Sequence, residues 1–119
     1  MNKEGSAKSG AFAISLDFEL HWGLRDHTAL PDCREQLLGA REAIPEILRL
    51  FREYGVHASW ATVGFLFAES KEELLAACPQ RRPRYQDAFL SPYLDLDDLG
   101  EGEESDPFHY APSLIRSIQ

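Results

Sequence analysis

The 119-residue sequence has no apolar run near the roughly 20 residues that a bilayer-spanning helix needs, so no membrane span is expected. Its opening residues, MNKEGSAKSG, lack the apolar stretch of a secretory signal, and the compartment expected is the cytoplasm. Cysteine is scarce. Cys33 and Cys78 stand alone and form neither a zinc knuckle nor a CxxC redox pair, so two thiols in a reducing compartment are the favoured reading. An excess of basic charge is also missing: 12 basic residues face 20 acidic ones, a formal net charge of −8. Duplex binding requires a basic face to neutralise phosphate, and no nucleic-acid partner is expected. Nucleophile-elbow, P-loop and dinucleotide fingerprints are absent as well.

The acidity is local. Seven of the acids fall between Asp95 and Asp106, a stretch with no base, and the remainder is nearly neutral at 12 against 13. A chain with 44% apolar and 27% charged residues is of ordinary globular composition, and its length fits one domain. Residues 1–9 are small and polar and are expected to be a flexible tail, with one domain over 10–119.

Residues 11–19, AFAISLDFE, are expected to form a strand. A continuous apolar run ending in polar groups suits a strand buried on both faces, as in a parallel sheet. Residues 23–33 have loop character. Leu37, Ala40, Ile44, Ile47, Leu48, Phe51 and Tyr54 recur at steps of three and four, one apolar stripe of a helix. Pro45 is tolerated best in a first turn. The main helix is therefore expected over 41–54, preceded by a short piece at 34–39, with a kinked continuous helix as the alternative. Gly55 is its C-cap. Residues 56–63 predict a second strand, and 65–77 a second helix ended by Pro79. This order of strand, helix, strand, helix is that of a parallel α/β unit. Residues 79–110, with four prolines and the acidic run, show no period and are expected to be a long irregular insertion, parts of which pack through aromatics. Pro112 opens a last helical stretch.

The chemistry concentrates in Asp17-Phe18-Glu19-Leu20-His21. Strand side chains alternate faces, so residues 17, 19 and 21 share one side if the strand runs that far. Parallel α/β folds place their sites at such strand ends. Two neighbouring carboxylates repel unless a cation lies between them, and a divalent metal with a general base beside its water is one solution. A solvated loop start or a helix-capping group is the plain alternative. Asp95-x-Asp97-x-Leu99-Gly100 partly copies a calcium loop but fails at positions 5 and 12, and is read as a solvated acidic loop. His109 is read as a packing residue.

SLDFELHWG followed by HASWATVGFLF resembles the polysaccharide deacetylases of the NodB-homology type, carbohydrate esterase family 4, over about residues 11–78. The resemblance implies a (β/α)7 barrel, here partial and truncated after its first strands. It implies metal-dependent hydrolysis of acetyl groups on a carbohydrate, with zinc as the usual metal. Asp17 corresponds to the general base and Glu19 to a metal ligand, with His21 the nearest further donor; Trp22 and Gly23 would border the substrate groove. Trp60, between small residues of the second strand, is read first as a core residue, with stacking on a sugar at a barrel mouth as its substrate-binding alternative. The family's H-x-x-x-H metal motif has no counterpart, because the histidines fall at 21, 27, 57 and 109. A catalytic zinc needs about three protein ligands. The chain is thus expected to be the N-terminal portion of such an enzyme, inactive by itself, with an exposed sheet edge as a route to oligomers. The alternative is a non-catalytic α/β binding or assembly module.

Overall fold

The computed structural model describes residues 9–119. The expected tail, residues 1–9, lies outside the described residues except for Ser9. The chain runs through strand β1 (Ser15–Phe18), a 3-10 turn (Leu20–Gly23), helix α1 (Leu30–Tyr54), strand β2 (Ser59–Thr62), a second 3-10 turn (Gly64–Phe67) and helix α2 (Lys71–Ala77). Two further single 3-10 turns, Ala88–Leu90 and Leu96–Asp98, precede helix α3 (Pro112–Ile118).

The expected partial barrel is not what forms. The described residues contain one two-stranded parallel sheet, β1 beside β2, in the register Ser15↔Ser59 to Phe18↔Thr62; α1 and α3 share a core with it, while α2 packs in a second cluster. Two strands of four residues curve around nothing, and closure needs a full ring of tilted strands. The strand expected over 11–19 is also shorter. Residues 11–13 are exposed, and within β1 only Phe18 is buried. Ser15 and Asp17 are exposed while Leu16 is half-buried and Phe18 buried, so β1 has one covered face rather than two.

Helix α1 passes straight through Pro45. Leu37 and Ile44 are buried, and Leu48 packs on the same core from beyond the proline. Burying that one stripe on both sides of Pro45 offsets the interior proline, whose cost is about 3 kcal/mol. The helix also begins earlier than expected, because Pro31 occupies its first turn, where a missing N–H is harmless. Gly55 ends it in the left-handed conformation at φ 63°, donating its N–H to Phe51 O.

The helix expected over 65–77 is split. Ser70 Oγ accepts the Glu73 N–H at 3.2 Å and the Glu73 carboxylate accepts the Glu69 N–H at 2.7 Å, so α2 starts afresh at Lys71. This is a capping arrangement spelled S-x-x-E.

The irregular segment folds back onto the body at its C-terminal end. Phe108 and Ala111 join Phe18, Leu20, Leu37, Ile44, Leu66, Leu114 and Ile115 in the main core, and Tyr110 packs with Ala68, Leu74 and Leu96 in a second. Backbone bonds fasten it: His21 N–H to Phe108 O (3.2 Å), Lys71 N–H to Glu101 O (3.0 Å) and Ala111 N–H to Leu66 O (3.0 Å). Arg41 on α1 donates to Pro107 O and Tyr110 O and pairs with Glu103, which accepts from the Ser113 N–H and hydroxyl at the start of α3. No helix among the described residues is long and apolar enough to cross a membrane.

Candidate functional site

β1 ends at Phe18, and the backbone then turns sharply. Glu19 sits at φ −128°, ψ −28°, and Leu20 adopts φ 50°. A left-handed leucine costs about 1–2 kcal/mol. The buried Leu20 side chain, in the main core, offsets it. This one residue breaks the alternation that would align positions 17, 19 and 21, and it sorts the sequence-predicted site residues into two groups.

The first group meets in one cavity. Asp17, Glu19, Gly23 and Trp60 line a cleft of about 340 Å³ at the carboxyl end of β1, walled opposite by Leu37, Ile44 and Ile47 of α1. Both carboxylates are on exposed residues. Trp60 is half-buried and packs edge-on against Phe18, ring centroids 6.3 Å apart. Gly23 lies directly under the Glu19 carboxylate, and a Cβ there would collide with Glu19 Oε2. The crowding comes from close approach, not from the backbone angle of Gly23, and the Glu19 carboxylate is the part able to give way. The cleft pairs two acids with an indole in a mainly apolar wall, the makeup of a small-molecule site.

The second group faces the other way. His21 is buried at 8% exposure, and its ring lies against His109 with Nδ1···Nε2 2.9 Å. His21 Nε2 lies 3.1 Å from Thr28 O, and His109 Nδ1 lies 2.9 and 3.0 Å from the two oxygens of Asp106. Asp106, also 8% exposed, accepts the Gly100 N–H at 3.0 Å. The Trp22 indole N–H donates to His109 O at 2.9 Å, and its ring packs on Phe65.

An ionised carboxylate only accepts, so His109 turns its Nδ1–H to Asp106, and its Nε2 meets His21 Nδ1. The Thr28 carbonyl, which also only accepts, lies against His21 Nε2. Burial holds His21 below its ordinary pKa of 6.5 against the pull of the Thr28 carbonyl. For Asp106 burial acts upward, but the donors from His109 and Gly100 outweigh it and hold the carboxyl below 3.8. All four nitrogens are occupied, so none is free to act on a ligand in this arrangement.

This geometry bears on the expected metal. Both nitrogens of His21 are engaged away from Asp17 and Glu19, and no group of three or more His, Cys, Asp or Glu among the described residues is arranged to hold an ion. The residues present do not fit a catalytic zinc, which wants about three protein ligands. The partial calcium-loop pattern resolves differently too: Asp106, its last position, turns inward to His109 and Gly100.

Sequence reasoning missed the partnership of Asp106, His109 and His21. The D-x-x-H spacing of 106 and 109 pairs those two, but nothing local signals His21, 88 residues away. No protein family, no curated protein and no solved structure matches the chain.

Proposed function

We propose that Asp17 and Glu19 are the acidic pair of a polysaccharide-deacetylase-like site, acting on acetyl groups of a carbohydrate, with Asp17 as general base and Glu19 as a ligand for a divalent metal such as zinc. The observation that carries this reading is that Asp17 and Glu19 line one cleft with Gly23 and Trp60 at the carboxyl end of a parallel strand. The chain by itself is not a working hydrolase, because one or two carboxylates hold zinc poorly and the sequence has no H-x-x-x-H pair to complete the set.

Titration of the chain with an N-acetylglucosamine oligomer, followed by NMR, tests the reading. The expected result is shifts at Gly23 and the Trp60 indole, reduced in Trp60→Ala. Zinc is expected to bind weakly, and to lose that binding in Glu19→Ala. Steady zinc-dependent release of acetate by the 119-residue chain would refute the claim of inactivity, and sugar-induced shifts away from the cleft would refute the site.

A second reading, a non-catalytic binding or assembly module, is favoured by the commitment of His21 to His109 and by the unpaired outer edges of the two-stranded sheet. A defined oligomer that binds neither zinc nor sugar supports it.

A further inference from the structure

Residues 87–99 are attached to the molecule in an unusual way. Their backbone hydrogen bonds are all local: Leu90 to Asp87, Ser91 to Ala88, Leu94 to Ser91, Asp98 to Asp95 and Leu99 to Leu96. Among the described residues, no backbone–backbone bond joins this stretch to the rest of the protein. Residues 100–111, by contrast, are bonded to the body through Glu101, Phe108 and Ala111. Two side chains fasten the first half of the strap: Tyr93 packs edge-on against Phe65, ring centroids 5.9 Å apart, and Arg25 holds the backbone. The Arg25 guanidinium donates to Ser91 O at 2.7 Å, to Phe89 O at 3.3 Å and to Leu94 O at 3.5 Å.

The second half has a firm root. Leu96 is buried in the second core, and the Lys71 ammonium donates to Asp97 O at 2.5 Å. Between the two halves stands Asp95, whose backbone lies in the left-handed region at φ 59° without a side-chain cap bond. A non-glycine residue in that region sits above its relaxed energy, and such residues mark positions where a chain changes direction. Beneath the strap is a cavity of about 210 Å³, with His21, Trp22 and His109 on its floor and Phe89, Leu94 and Asp95 on the strap side.

We propose that residues 87–94 are a lid, hinged at Asp95 and latched by Arg25, that controls access to the cavity over the His21–His109 pair. An arginine suits the latch because its planar fork reaches several carbonyls at once, which a lysine does not. Phe89 and Leu90 are already exposed, so the apolar surface that opening uncovers is mainly that of the half-buried Pro92, Tyr93 and Leu94. The charged and polar groups facing the cavity are Arg25, Asp95, Asp98, His21 and His109. Opening therefore admits water to a buried hydrogen-bonded network. This device stands independently of the Asp17–Glu19 cleft, whose walls it does not touch.

Hydrogen–deuterium exchange on the full chain tests it. In Arg25→Gln, the amides of Leu90, Ser91 and Leu94 are expected to exchange about tenfold faster, the factor that loss of one charge-assisted hydrogen bond gives. Amides of α1 and α3 are expected to keep their rates, and Arg25→Lys is expected to fall between. Quenching of Trp22 by acrylamide, read in a Trp60→Phe background, is expected to rise in parallel. Unchanged exchange over 88–94, or an equal rise along the whole chain, overturns the lid. So does a Trp22 quenching constant that is the same with and without Arg25.

Discussion

Asp106→Asn and Asp106→Ala remove the same charge and are expected to have very different consequences. In the native protein Asp106 takes the His109 Nδ1–H and the Gly100 N–H while nearly excluded from water. Alanine leaves both donors buried and unpaired. At about 1–3 kcal/mol for each, the loss is about 2–6 kcal/mol. Asparagine behaves otherwise. Its oxygen accepts the Gly100 N–H and its amide donates to His109 Nδ1. His109 then donates from Nε2 to His21, and His21 from Nε2 to Thr28 O. Every bond survives with both rings neutral, and only the charge assistance disappears. The difference between a charged and a neutral hydrogen bond puts that loss at about 1 kcal/mol.

Thermal and urea unfolding at pH 7.5 read these values. For a domain of this length, about 1 kcal/mol corresponds to about 4 °C in Tm, so the alanine variant is expected to fall roughly 8–24 °C. Long-range 15N spectra of the imidazoles give an independent check: His109 Nδ1 is protonated in the native chain and unprotonated in Asp106→Asn. The reasoning fails if asparagine and alanine destabilise equally, or if His109 keeps the same tautomer in the native chain and the asparagine variant.

Acid is expected to weaken the fold in two stages. A histidine held below its ordinary pKa adds stability that is complete above 6.5 and is lost as pH falls beneath it, so His21 sets the first stage; Asp106, held below 3.8, keeps its contribution above that value and loses it further down. Urea midpoints from pH 7.5 to 3 are expected to slope by at most about 1.4 kcal/mol per pH unit for each group, and a profile flat between pH 6.5 and 5 contradicts the first stage. Tyr110 is wholly buried, its hydroxyl has no hydrogen-bond partner among the described residues, and burial beside Asp106 and Glu101 pushes its pKa up to about 12. Tyr110→Phe is therefore expected to stabilise the protein by about 1 kcal/mol, and destabilisation of that size in a melting experiment counts against an unpaired hydroxyl. Gly23→Ala is expected to push the Glu19 carboxylate aside, shifting its side-chain 13C resonances at a stability cost under about 1 kcal/mol; unchanged resonances mean that the two do not touch.

The parallel pairing of the first two strands around a long amphipathic helix was legible from period and punctuation alone. The apolar stripe from Leu37 to Leu48, Gly55 after it and Pro112 before the last helix each act through local geometry, and local geometry is what a sequence spells. The barrel was not legible in the same sense. It came from resemblance, and the described chain has two strands where closure needs a ring of them. Pro45 misled for a related reason: a propensity rule placed a helix start there, while burial of the stripe on both sides carried α1 through it.

The site divides along the same line. Strand alternation puts Asp17, Glu19 and His21 on one side only while the backbone stays extended, and the run Phe18-Glu19-Leu20 gives no outward sign of leaving it. Leu20 leaves it because its side chain is drawn into the core shared with Phe108 and Leu114, residues more than 80 positions away. That long-range burial turns His21 from the carboxylates to His109 and Asp106. It splits one expected constellation into an acidic cleft open to a ligand and a buried imidazole pair bonded to Asp106. A substitution at position 20 is thus the most direct lever on both. Glycine there accepts φ 50° freely but removes the core anchor. The expected result is a fold weakened by about 2–5 kcal/mol, as for other large-to-small core changes, with the His21–His109 contact loosened in imidazole NMR before α1 or β2 melts. Loss of the whole fold in a single step, with the imidazole pair intact to the end, would show that something other than Leu20 holds His21 in place.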